Sequence, residues 1–476
     1  MRAGAFPGLI KVIVIFLLSE INVFSQPSYF VKEFGDSSLT NHGNSLVQVA
    51  SGSIFFAGYS TTSTGSANRD FTLTKLDSAG NVTWSNQYGT IQDETSARMI
   101  FDGDKSLVIC GQQYDTSSFS TSGMLMSIDT LGNLEWVHYY STPNVNQSFS
   151  GLCMSNDGGL LASGFQSDST SSGNNFLLIK TDAQGNMQWS KTFGDAGNNE
   201  VSDAVLQVAN GDILISGDRQ VDAATYNAWL IKTDSAGTSL WDLISSNRNN
   251  GGCKNILVDS NNDILVIGEA ATDSSPQFDI QLTKCDQNGN LIWLKYVPAT
   301  NESDAGFAIL QAGNRHYMIT GYYYDTLTSS KKIMMMLLDT AGNEISKRFY
   351  GNGFQNIGYD LQPSVYGGFL IAGTDFTNAQ CVLVFDNLPP PTGIISISSS
   401  PGLLDVFPNP FSNSITVRCA NKIGEIQIFD VTGKELFRKE TDATETKIVT
   451  GDFSPGFYSL RYSENNQSVN VKLLKF

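Results

Sequence analysis

The stretch FLLIKTDAQGNMQWSKTFG, Phe176 to Gly194, is the unit from which most of this chain is built. In it, an apolar run ends in an aspartate, a glycine turn follows, and a tryptophan stands in the next run. Related stretches recur, and their aspartates are Asp77, Asp129, Asp182, Asp234, Asp286, Asp339 and Asp386. Successive aspartates lie 52 or 53 residues apart, except the last pair, which lies 47 apart. A nearly constant period of this length indicates a repeat architecture.

A second marker, an apolar run that closes on glycine, also occurs seven times in the chain. Its glycines are Gly58, Gly111, Gly164, Gly217, Gly268, Gly321 and Gly373. Each repeat contains four short strand-like pieces separated by Gly, Asn and Asp turns, which are typical of β-structure. Seven units that cannot each bury both faces alone predict an all-β fold, a seven-bladed β-propeller, over residues 26–387.

The two ends of the repeat region predict how the ring closes. The seventh copy stops after its third strand, at Asp386, whereas YFVKEFG, Tyr29 to Gly35, matches the fourth strand of a repeat. We therefore expect the N-terminal strand to pair beside Cys381–Phe385 and to remove an otherwise exposed sheet edge.

The segments that flank the repeats predict export and a second domain. Residues 1–25 have positive charge and a short apolar run, which predicts a secretory signal peptide and no transmembrane segment after its removal. Residues 388–402 contain three consecutive prolines and predict a linker. Residues 403–476 show alternating apolar residues in several strand-like pieces, which predicts a small Ig-like β-sandwich.

Composition excludes some classes of function. The net charge of -17 argues against binding to nucleic acid, because the phosphates would be repelled. The six cysteines show no CxxC spacing, so we expect no zinc site. We also expect no other metal and no cofactor. A disulfide bridge between Cys253 and Cys285, within one repeat, remains compatible with the sequence.

Three motifs near the C-terminus occur in a fixed order. They are Pro408-Asn409-Pro410-Phe411, Asp430-Val431-Thr432-Gly433-Lys434 and Gly456-Phe457-Tyr458. With these motifs, the C-terminal domain resembles the type A sorting domain of the type IX secretion system of Bacteroidetes. The resemblance implies that the type IX machinery is a partner and carries the protein across the outer membrane. It also implies that the protein is then released or attached at the cell surface, usually without this domain.

The repeats are similar to a class of secreted bacterial repeats with the pattern Lys-x-Asp-x-x-Gly-Asn-x-x-Trp. The aspartate-to-tryptophan element is also similar to the tryptophan-docking repeat of quinoprotein dehydrogenases. This similarity implies that the tryptophans pack between blades: Trp84, Trp136, Trp189, Trp241 and Trp293. Ser346 takes this position in the sixth copy, where we expect poorer packing. We interpret the repeated Asp-x-x-Gly-Asn as a turn in which Asp accepts backbone N–H groups, rather than as a calcium loop.

The sequence contains few residues that suggest catalysis. The histidines His42, His138 and His316 share no motif, which argues against a metal triad or a Ser-His-Asp hydrolase. A glycosidase needs only two carboxylates. The candidate acid pairs are Asp93 and Glu94, Glu200 and Asp203, and Glu302 and Asp304.

Loop lengths predict where a ligand would bind. The connections from second to third strand and from one repeat to the next are long and emerge on one face, whereas the other turns are tight. The long-loop face carries aromatic residues among small polar ones: Tyr59, Tyr114, Phe119, Tyr226, Tyr322, Tyr323, Tyr324 and Phe376. Such rings suit sugar binding, or else they cover loop bases and neighbouring blades.

Three functional hypotheses follow from the sequence. The first is a secreted or cell-surface binding module, without enzymatic activity, for a glycan or a protein. The second is a polysaccharide-active enzyme that uses the loop carboxylates. The third is a structural or adhesive surface protein. For the enzyme, loss of one acid should abolish turnover but not binding. For the binding module, loss of one aromatic ring should abolish binding, and for the structural protein we expect neither effect.

Overall fold

The computed structural model describes two units of the chain, Met1–Leu388 and Pro389–Phe476, which are divided by their contacts. The described residues of the first unit are 29–61, 68–167, 173–195, 197–222, 225–245, 251–271, 277–297, 303–351 and 355–386. Those of the second unit are 404–407, 414–419, 424–430, 434–441, 443–453, 456–464 and 467–475. The predicted signal peptide, residues 1–25, and the predicted linker, residues 388–402, lie outside these ranges.

The first unit consists of four-stranded antiparallel sheets, and the described residues contain seven of them. The first strand of the chain is β1 (Tyr29–Phe34). Sheet 1 contains β2 (Asn41–Gln48), β3 (Ile54–Thr61), β4 (Arg69–Leu76) and β5 (Val82–Tyr88). Sheet 2 contains β6 (Asp93–Phe101), β7 (Ser106–Asp115), β8 (Ser120–Asp129) and β9 (Leu134–Tyr140). Sheet 3 contains β10 (Gln147–Met154), β11 (Leu160–Ser167), β12 (Asn174–Thr181) and β13 (Met187–Phe193).

The remaining sheets of this unit repeat the same order. Sheet 4 contains β14 (Glu200–Gln207), β15 (Ile213–Gln220), β16 (Tyr226–Thr233) and β17 (Ser239–Ser245). Sheet 5 contains β18 (Gly251–Val258), β19 (Ile264–Ala271), β20 (Phe278–Cys285) and β21 (Leu291–Val297). Sheet 6 contains β22 (Ala305–Gln311), β23 (Tyr317–Asp325), β24 (Ser330–Leu338) and β25 (Glu344–Tyr350), with a 3-10 helix at Gly313–Arg315. Sheet 7 contains β26 (Asn356–Pro363), β27 (Phe369–Asp375), β28 (Gln380–Asp386) and β1.

The sheets form a closed ring, because the first strand of each sheet contacts the first strand of the next and β26 contacts β2. The first strands therefore surround the central axis, and the apolar core lies in layers between successive sheets. Between sheets 1 and 2, for example, Phe71 and Leu73 pack against Met124 and Met126. The protein is thus an all-β propeller, as the repeats predict.

The N-terminal strand closes this ring, which confirms the predicted pairing. Strand β1 runs antiparallel to β28, with Tyr29 opposite Asp386 and Phe34 opposite Cys381. Phe30 is 9% exposed and stacks on Phe385 at 5.3 Å between ring centroids. Strand β1 therefore covers the edge of β28 with both hydrogen bonds and apolar surface.

The repeated tryptophans pack between neighbouring sheets, as the resemblance implies. Each lies against the turn glycine of the following sheet, and the pairs are Trp84 with Gly132, Trp136 with Gly185, Trp189 with Gly237, Trp241 with Gly289, and Trp293 with Gly342. A Cβ atom on Gly185, for instance, would lie 2.8 Å from the Trp136 ring. The glycine is thus needed both for the positive φ of the turn, +82° at Gly185, and for the close approach of the ring.

The seventh copy corrects one detail of the repeat alignment. Asp386 pairs with Phe369, whereas in sheet 3 the residue in this register is Thr181, one position before the turn aspartate. Asp386 is therefore not the counterpart of Asp182. Its buried carboxylate instead accepts hydrogen bonds from Arg348 Nη1, at 2.7 and 2.8 Å, and from the Tyr350 hydroxyl. This cluster joins sheet 6 to sheet 7.

The second unit contains two antiparallel sheets. One consists of β29 (Leu404–Phe407), β30 (Ser414–Cys419) and β33 (Glu445–Val449). The other consists of β31 (Gly424–Asp430), β32 (Glu435–Thr441), β34 (Gly456–Glu464) and β35 (Gln467–Lys475). Residues of both sheets, such as Ile415 and Ile448 from one and Ile426 and Leu460 from the other, form a single core. The Ig-like assignment stays a prediction.

Five cysteines of the first unit are free thiols: Cys110, Cys153, Cys253, Cys285 and Cys381. The bridge considered between Cys253 and Cys285 is therefore not formed, and both side chains pack in the core between sheets 4 and 5. Within the described ranges, a helix with the length and hydrophobicity needed to cross a membrane is not found.

Candidate binding site at the channel mouth

The strand ends that flank the long connections lie side by side on one face of the ring, which we call the crown face. Hydrogen bonds join the two kinds of long connection within a sheet: Thr61 N donates to Thr40 O, and Ser167 N donates to Asn146 O, at 3.0 and 2.8 Å. The first strand of each sheet starts at this face. Residues near the start of the first strands therefore surround the crown-side mouth of the central channel.

Each of the seven first strands contains a β-bulge at the same place in its pairing with the second strand. The extra residues are Asn44, Ala97, Ser150, Asp203, Lys254, Phe307 and Tyr359. All seven are partly exposed, and the residue that precedes each of them is buried. A bulge releases one residue from the ladder and redirects its side chain. We call these residues the bulge ring.

The bulge ring is charged where sheets 4 and 5 meet. Lys254 Nζ lies 3.0 Å from Oδ2 of Asp203 and 3.1 Å from Oδ2 of Asp218. Burial raises the pKa of Asp218 to about 6 despite the attraction of Lys254, and it also raises the pKa of nearby Glu269. This side of the mouth can therefore gain negative charge as the pH rises through 6.

The bulge ring is aromatic where sheets 6 and 7 meet. The ring of Phe307 makes an edge contact with Tyr359 at 5.3 Å between centroids and lies 6.2 Å from Tyr322. Lys331 Nζ lies 3.9 Å from the centroid of the Tyr322 ring, a cation–π contact. Burial lowers the pKa of Lys331.

A second aromatic group lies where sheet 7 meets sheet 1. His42 stacks on Tyr59 at 4.6 Å and contacts Phe376 edge-on at 4.8 Å. The Arg69 guanidinium lies 5.3 Å from the centroid of Tyr59 and forms a bidentate pair with Asp93. Burial, aided by the charge of Arg69, lowers the pKa of His42 to about 4, so this imidazole is neutral at neutral pH.

Tyr359 belongs to the first aromatic group through Phe307 and lies near Tyr59 of the second. Burial raises the pKa of Tyr359, and the nearby phenols of Tyr59 and Tyr322 raise it further. The two tyrosines come from sheets 1 and 6, on either side of sheet 7. Rings from three successive sheets thus line one part of the mouth, and the Lys254 cluster lines another.

Only part of the predicted aromatic set comes together in this way. Tyr59 and Tyr322 lie at the mouth, and Tyr322 is only 7% exposed. Tyr323 instead stacks on Phe349, within sheet 6, at 3.6 Å between centroids. The predicted tyrosines all lie in strands rather than in loops, and the remaining ones are Tyr114 in β7, Tyr226 in β16 and Tyr324 in β23.

One residue of each predicted acid pair, Glu94, Glu200 or Asp304, occupies a repeated position at the start of the first strands. The residues in this register are Asn41, Glu94, Gln147, Glu200, Gly251, Asp304 and Asn356. Glu94 is fully buried and accepts hydrogen bonds from Thr90 Oγ1 at 2.5 Å and Gln113 Nε2 at 2.8 Å. Its role there is to hold the loop that joins two sheets. Glu302 lies outside the described residues.

The Asp-x-x-Gly-Asn segments form tight turns on the opposite face, which confirms their interpretation. Asp129 Oδ1 accepts the backbone N–H groups of Leu131 and Asn133 at 2.9 and 2.8 Å, and Oδ2 accepts the Asn133 amide at 2.8 Å. These hydrogen bonds, that of the Asn133 side chain above all, lower the pKa of Asp129. The part of the chain that the structure describes holds no cluster of three or more His, Cys, Asp or Glu suited to a metal ion.

Residues 405–475 match the family described as the secretion system C-terminal sorting domain. The chain carries a type IX sorting domain. Of its motif residues, Gly456 starts β34 and Tyr458 is 7% exposed in the core, while Pro408, Asn409, Pro410 and Gly433 lie outside the described residues. The sorting domain indicates that the protein is secreted or lies at the outer-membrane surface of the cell, and it implies interaction with the secretion machinery.

Solved structures resemble the propeller in fold. An ulvan lyase, described as a new family of polysaccharide lyase, aligns with a TM-score of 0.53 at 8% identity, over 75% of this chain and 96% of its own. Virginiamycin B lyase from Staphylococcus aureus aligns with a TM-score of 0.49 at 9% identity, over 75% and 99%. PorZ, a surface component of the type IX secretion system of Porphyromonas gingivalis, aligns with a TM-score of 0.43 at 11% identity, over 93% and 60%. No curated protein matches the chain. Of these three, the ulvan lyase aligns with a TM-score above 0.5, and at 8% identity this indicates a shared fold and nothing further.

Proposed function

We propose that this protein is a secreted or cell-surface binding module that holds a glycan at the crown-side mouth of its channel. The observation that carries the proposal is the convergence of rings around Tyr359. Phe307 makes an edge contact with Tyr359 from sheet 6 and itself lies 6.2 Å from Tyr322. The phenol of Tyr59, from sheet 1, is near enough to raise the pKa of Tyr359. Aromatic faces beside hydroxyl groups suit the apolar faces and the hydroxyl rims of sugar rings.

The charged groups at the mouth supply the polar part of such a site. Lys254, Asp203 and Asp218 can exchange hydrogen bonds with sugar hydroxyls, and Lys331 adds a cation beside the Tyr322 ring. A few polar groups in fixed positions among apolar surface are typical of sites for small ligands. The geometry therefore favours a glycan over a flat protein surface as the ligand.

The geometry also argues for binding without turnover. Glu94 and Glu200 are fully buried at the bases of loops, and Asp93 is paired with Arg69. Of the carboxylates at the mouth, Asp203 and Asp218 both contact Lys254. A glycosidase needs one carboxyl group free to donate a proton and another free to act on sugar or water.

The test is retention of the protein on a panel of immobilised polysaccharides, with released oligosaccharides measured in parallel. We expect retention without products, and loss of retention in the variant Tyr359→Ala. Tyr366→Ala is the matched control, because Tyr366 is an exposed aromatic residue on the opposite side of sheet 7, beside the turn glycine Gly52.

Two outcomes would overturn the proposal. Released oligosaccharides would show an enzyme and direct attention to Asp203 and Asp218. Absence of retention on every polysaccharide, or equal loss of retention in both variants, would favour a protein ligand or a structural role.

A further inference from the structure

A second cleft lies at the seam where the last sheet meets the first. It has a volume of about 800 Å³ and lies between strand β1 of sheet 7 and the adjacent face of sheet 1. Its lining includes Phe34, Thr72, Thr74, Ser85, Gln87 and Tyr88. The seam cleft is thus separate from the bulge ring, and it is large enough for a small ligand.

The cleft exists because sheet 1 carries small residues where most other sheets carry large ones. In the third strand of each sheet, one residue lies opposite the repeated glycine. The side chains of this residue and of the residue two positions later both point towards the preceding sheet. In sheets 2, 3, 4 and 6 these pairs are large and apolar: Met124 and Met126, Leu177 and Ile179, Trp229 and Ile231, and Met334 and Met336. All eight are at most 5% exposed in the core. Sheet 5 has Gln281 and Thr283 instead, and sheet 7 has Val382 and Val384. Thr72 and Thr74 take these positions in sheet 1, and the missing volume is left open.

The lining is polar but almost uncharged. Asp36 is the one charged residue among the lining residues, and its Oδ1 already accepts hydrogen bonds from Ser38 N and Oγ at 2.8 and 2.7 Å. The hydroxyl groups of Thr74 and Ser85 lie 2.8 Å apart, and Gln87 Nε2 donates to Ser60 Oγ at 2.7 Å. These groups can both donate and accept hydrogen bonds, as a sugar does.

The cleft combines this polar wall with ring faces and an open side. Phe34 and Tyr88 supply aromatic surface, and Ser85 and Gln87 are exposed to solvent, whereas Thr74 and Cys381 at the base are each 6% exposed. A charged ligand would lose hydration here without meeting an opposite charge. A neutral ligand with several hydroxyl groups needs no opposite charge, and it can exchange its hydrogen bonds to water for hydrogen bonds to the lining residues.

We propose that the seam cleft binds a neutral mono- or disaccharide. The bound sugar contacts β1 and sheet 1 together, so it stabilises the closed ring by binding to the folded state alone. The site is independent of the channel mouth, because it shares none of the bulge-ring residues.

The test measures the melting temperature of the full mature chain with glucose, galactose, mannose, N-acetylglucosamine, cellobiose and glucuronate. We expect at least one neutral sugar, at about ten times its Kd, to raise the melting temperature by about 2 °C, and glucuronate to have no effect. The double variant Thr72→Met/Thr74→Met, which installs the residues of sheets 2 and 6, should lose this response.

Two further variants keep the test decisive. Thr72→Val/Thr74→Val removes the hydroxyl groups at nearly constant shape, so it should fold and bind at least tenfold more weakly, as expected when about 1.4 kcal/mol of hydrogen bonding is lost. Tyr359→Ala, at the channel mouth, should keep the full response. The proposal is overturned if no neutral sugar raises the melting temperature, or if both threonine variants respond as the unchanged protein does.

Discussion

Arg98 Nη1 lies 3.0 Å from Oδ1 of Asp360, although the two residues are 262 positions apart in the sequence. Arg98 belongs to the first strand of sheet 2 and Asp360 to that of sheet 7. Ser45, in sheet 1 between them, donates from Oγ to Asp360 Oδ2 at 2.6 Å and accepts from Met99 N at 3.1 Å. Three successive sheets are therefore joined around one carboxylate that is 1% exposed.

We expect Asp360→Ala to lower the free energy of unfolding by about 3 kcal/mol. The substitution leaves the Arg98 guanidinium, whose side chain is only 19% exposed, and the Ser45 hydroxyl without their shared acceptor. Asp195→Ala is the control, because its ion pair with Arg219 involves a carboxylate that is 63% exposed, and its loss should cost about 0.5 kcal/mol. Urea denaturation measures both, and equal losses would contradict the role given to Asp360.

Periodicity alone predicted the fold class and the pairing of β1, because both depend on apolar patterns that every copy repeats. It placed Asp386 one residue out of register, because the missing fourth strand removed the turn that identifies the aspartate elsewhere. The bulge ring was missed for a related reason. Its seven positions share spacing but not residue type, from Asn44 to Tyr359, and alignment of repeats hides positions that differ between copies.

At Ser346, where five of the other repeats have tryptophan, we predict that introducing the tryptophan does not stabilise the protein. Ser346→Trp should not raise the melting temperature, because sheet 7 takes its fourth strand from the N-terminus and so has no hairpin turn to receive the ring. The Asp386 cluster already joins sheets 6 and 7. Trp189→Ala, at a position where Gly237 receives the ring, should cost about 2 kcal/mol. Calorimetry on both variants decides this, and a rise in melting temperature for Ser346→Trp would show that the site accepts a tryptophan.

Glu200 predicts a pH dependence of stability. Burial raises its pKa from 4.5 to about 7, against the attraction of Arg219, so the folded protein binds more protons than the unfolded chain between these values. Stability should therefore fall as the pH rises from 4.5 to 7, by up to about 3 kcal/mol, and this contribution should then stay constant.

The variant Glu200→Gln should flatten this dependence, because a neutral amide has no proton to lose. Gln147 occupies the same register in sheet 3 and shows that glutamine fits the position. Urea denaturation at pH 4.5, 5.5 and 7 compares the two proteins. An unchanged slope in the variant would exclude Glu200 as its source.

Tyr458 links the core of the sorting domain to export. Its ring is 7% exposed and lies 5.2 Å from Phe453, so Tyr458→Ala should destabilise the domain by about 3 kcal/mol and strongly reduce export. Tyr458→Phe keeps the ring and should preserve export. Immunoblots of cell and medium fractions, in a host with the type IX machinery, measure both. Normal export of the alanine variant would mean that sorting does not need this core.

The pairing of strand β1 with β28 has a consequence for the export of truncated chains. Its partner β28 ends at Asp386, and the sorting domain starts at residue 405, so the strand that receives β1 and the export signal are made within about twenty residues of each other. A product that stops anywhere before β28 lacks both features. The order of the chain thus prevents export of truncated chains, because the sorting domain is present only in a molecule that also contains β28 and can close its ring.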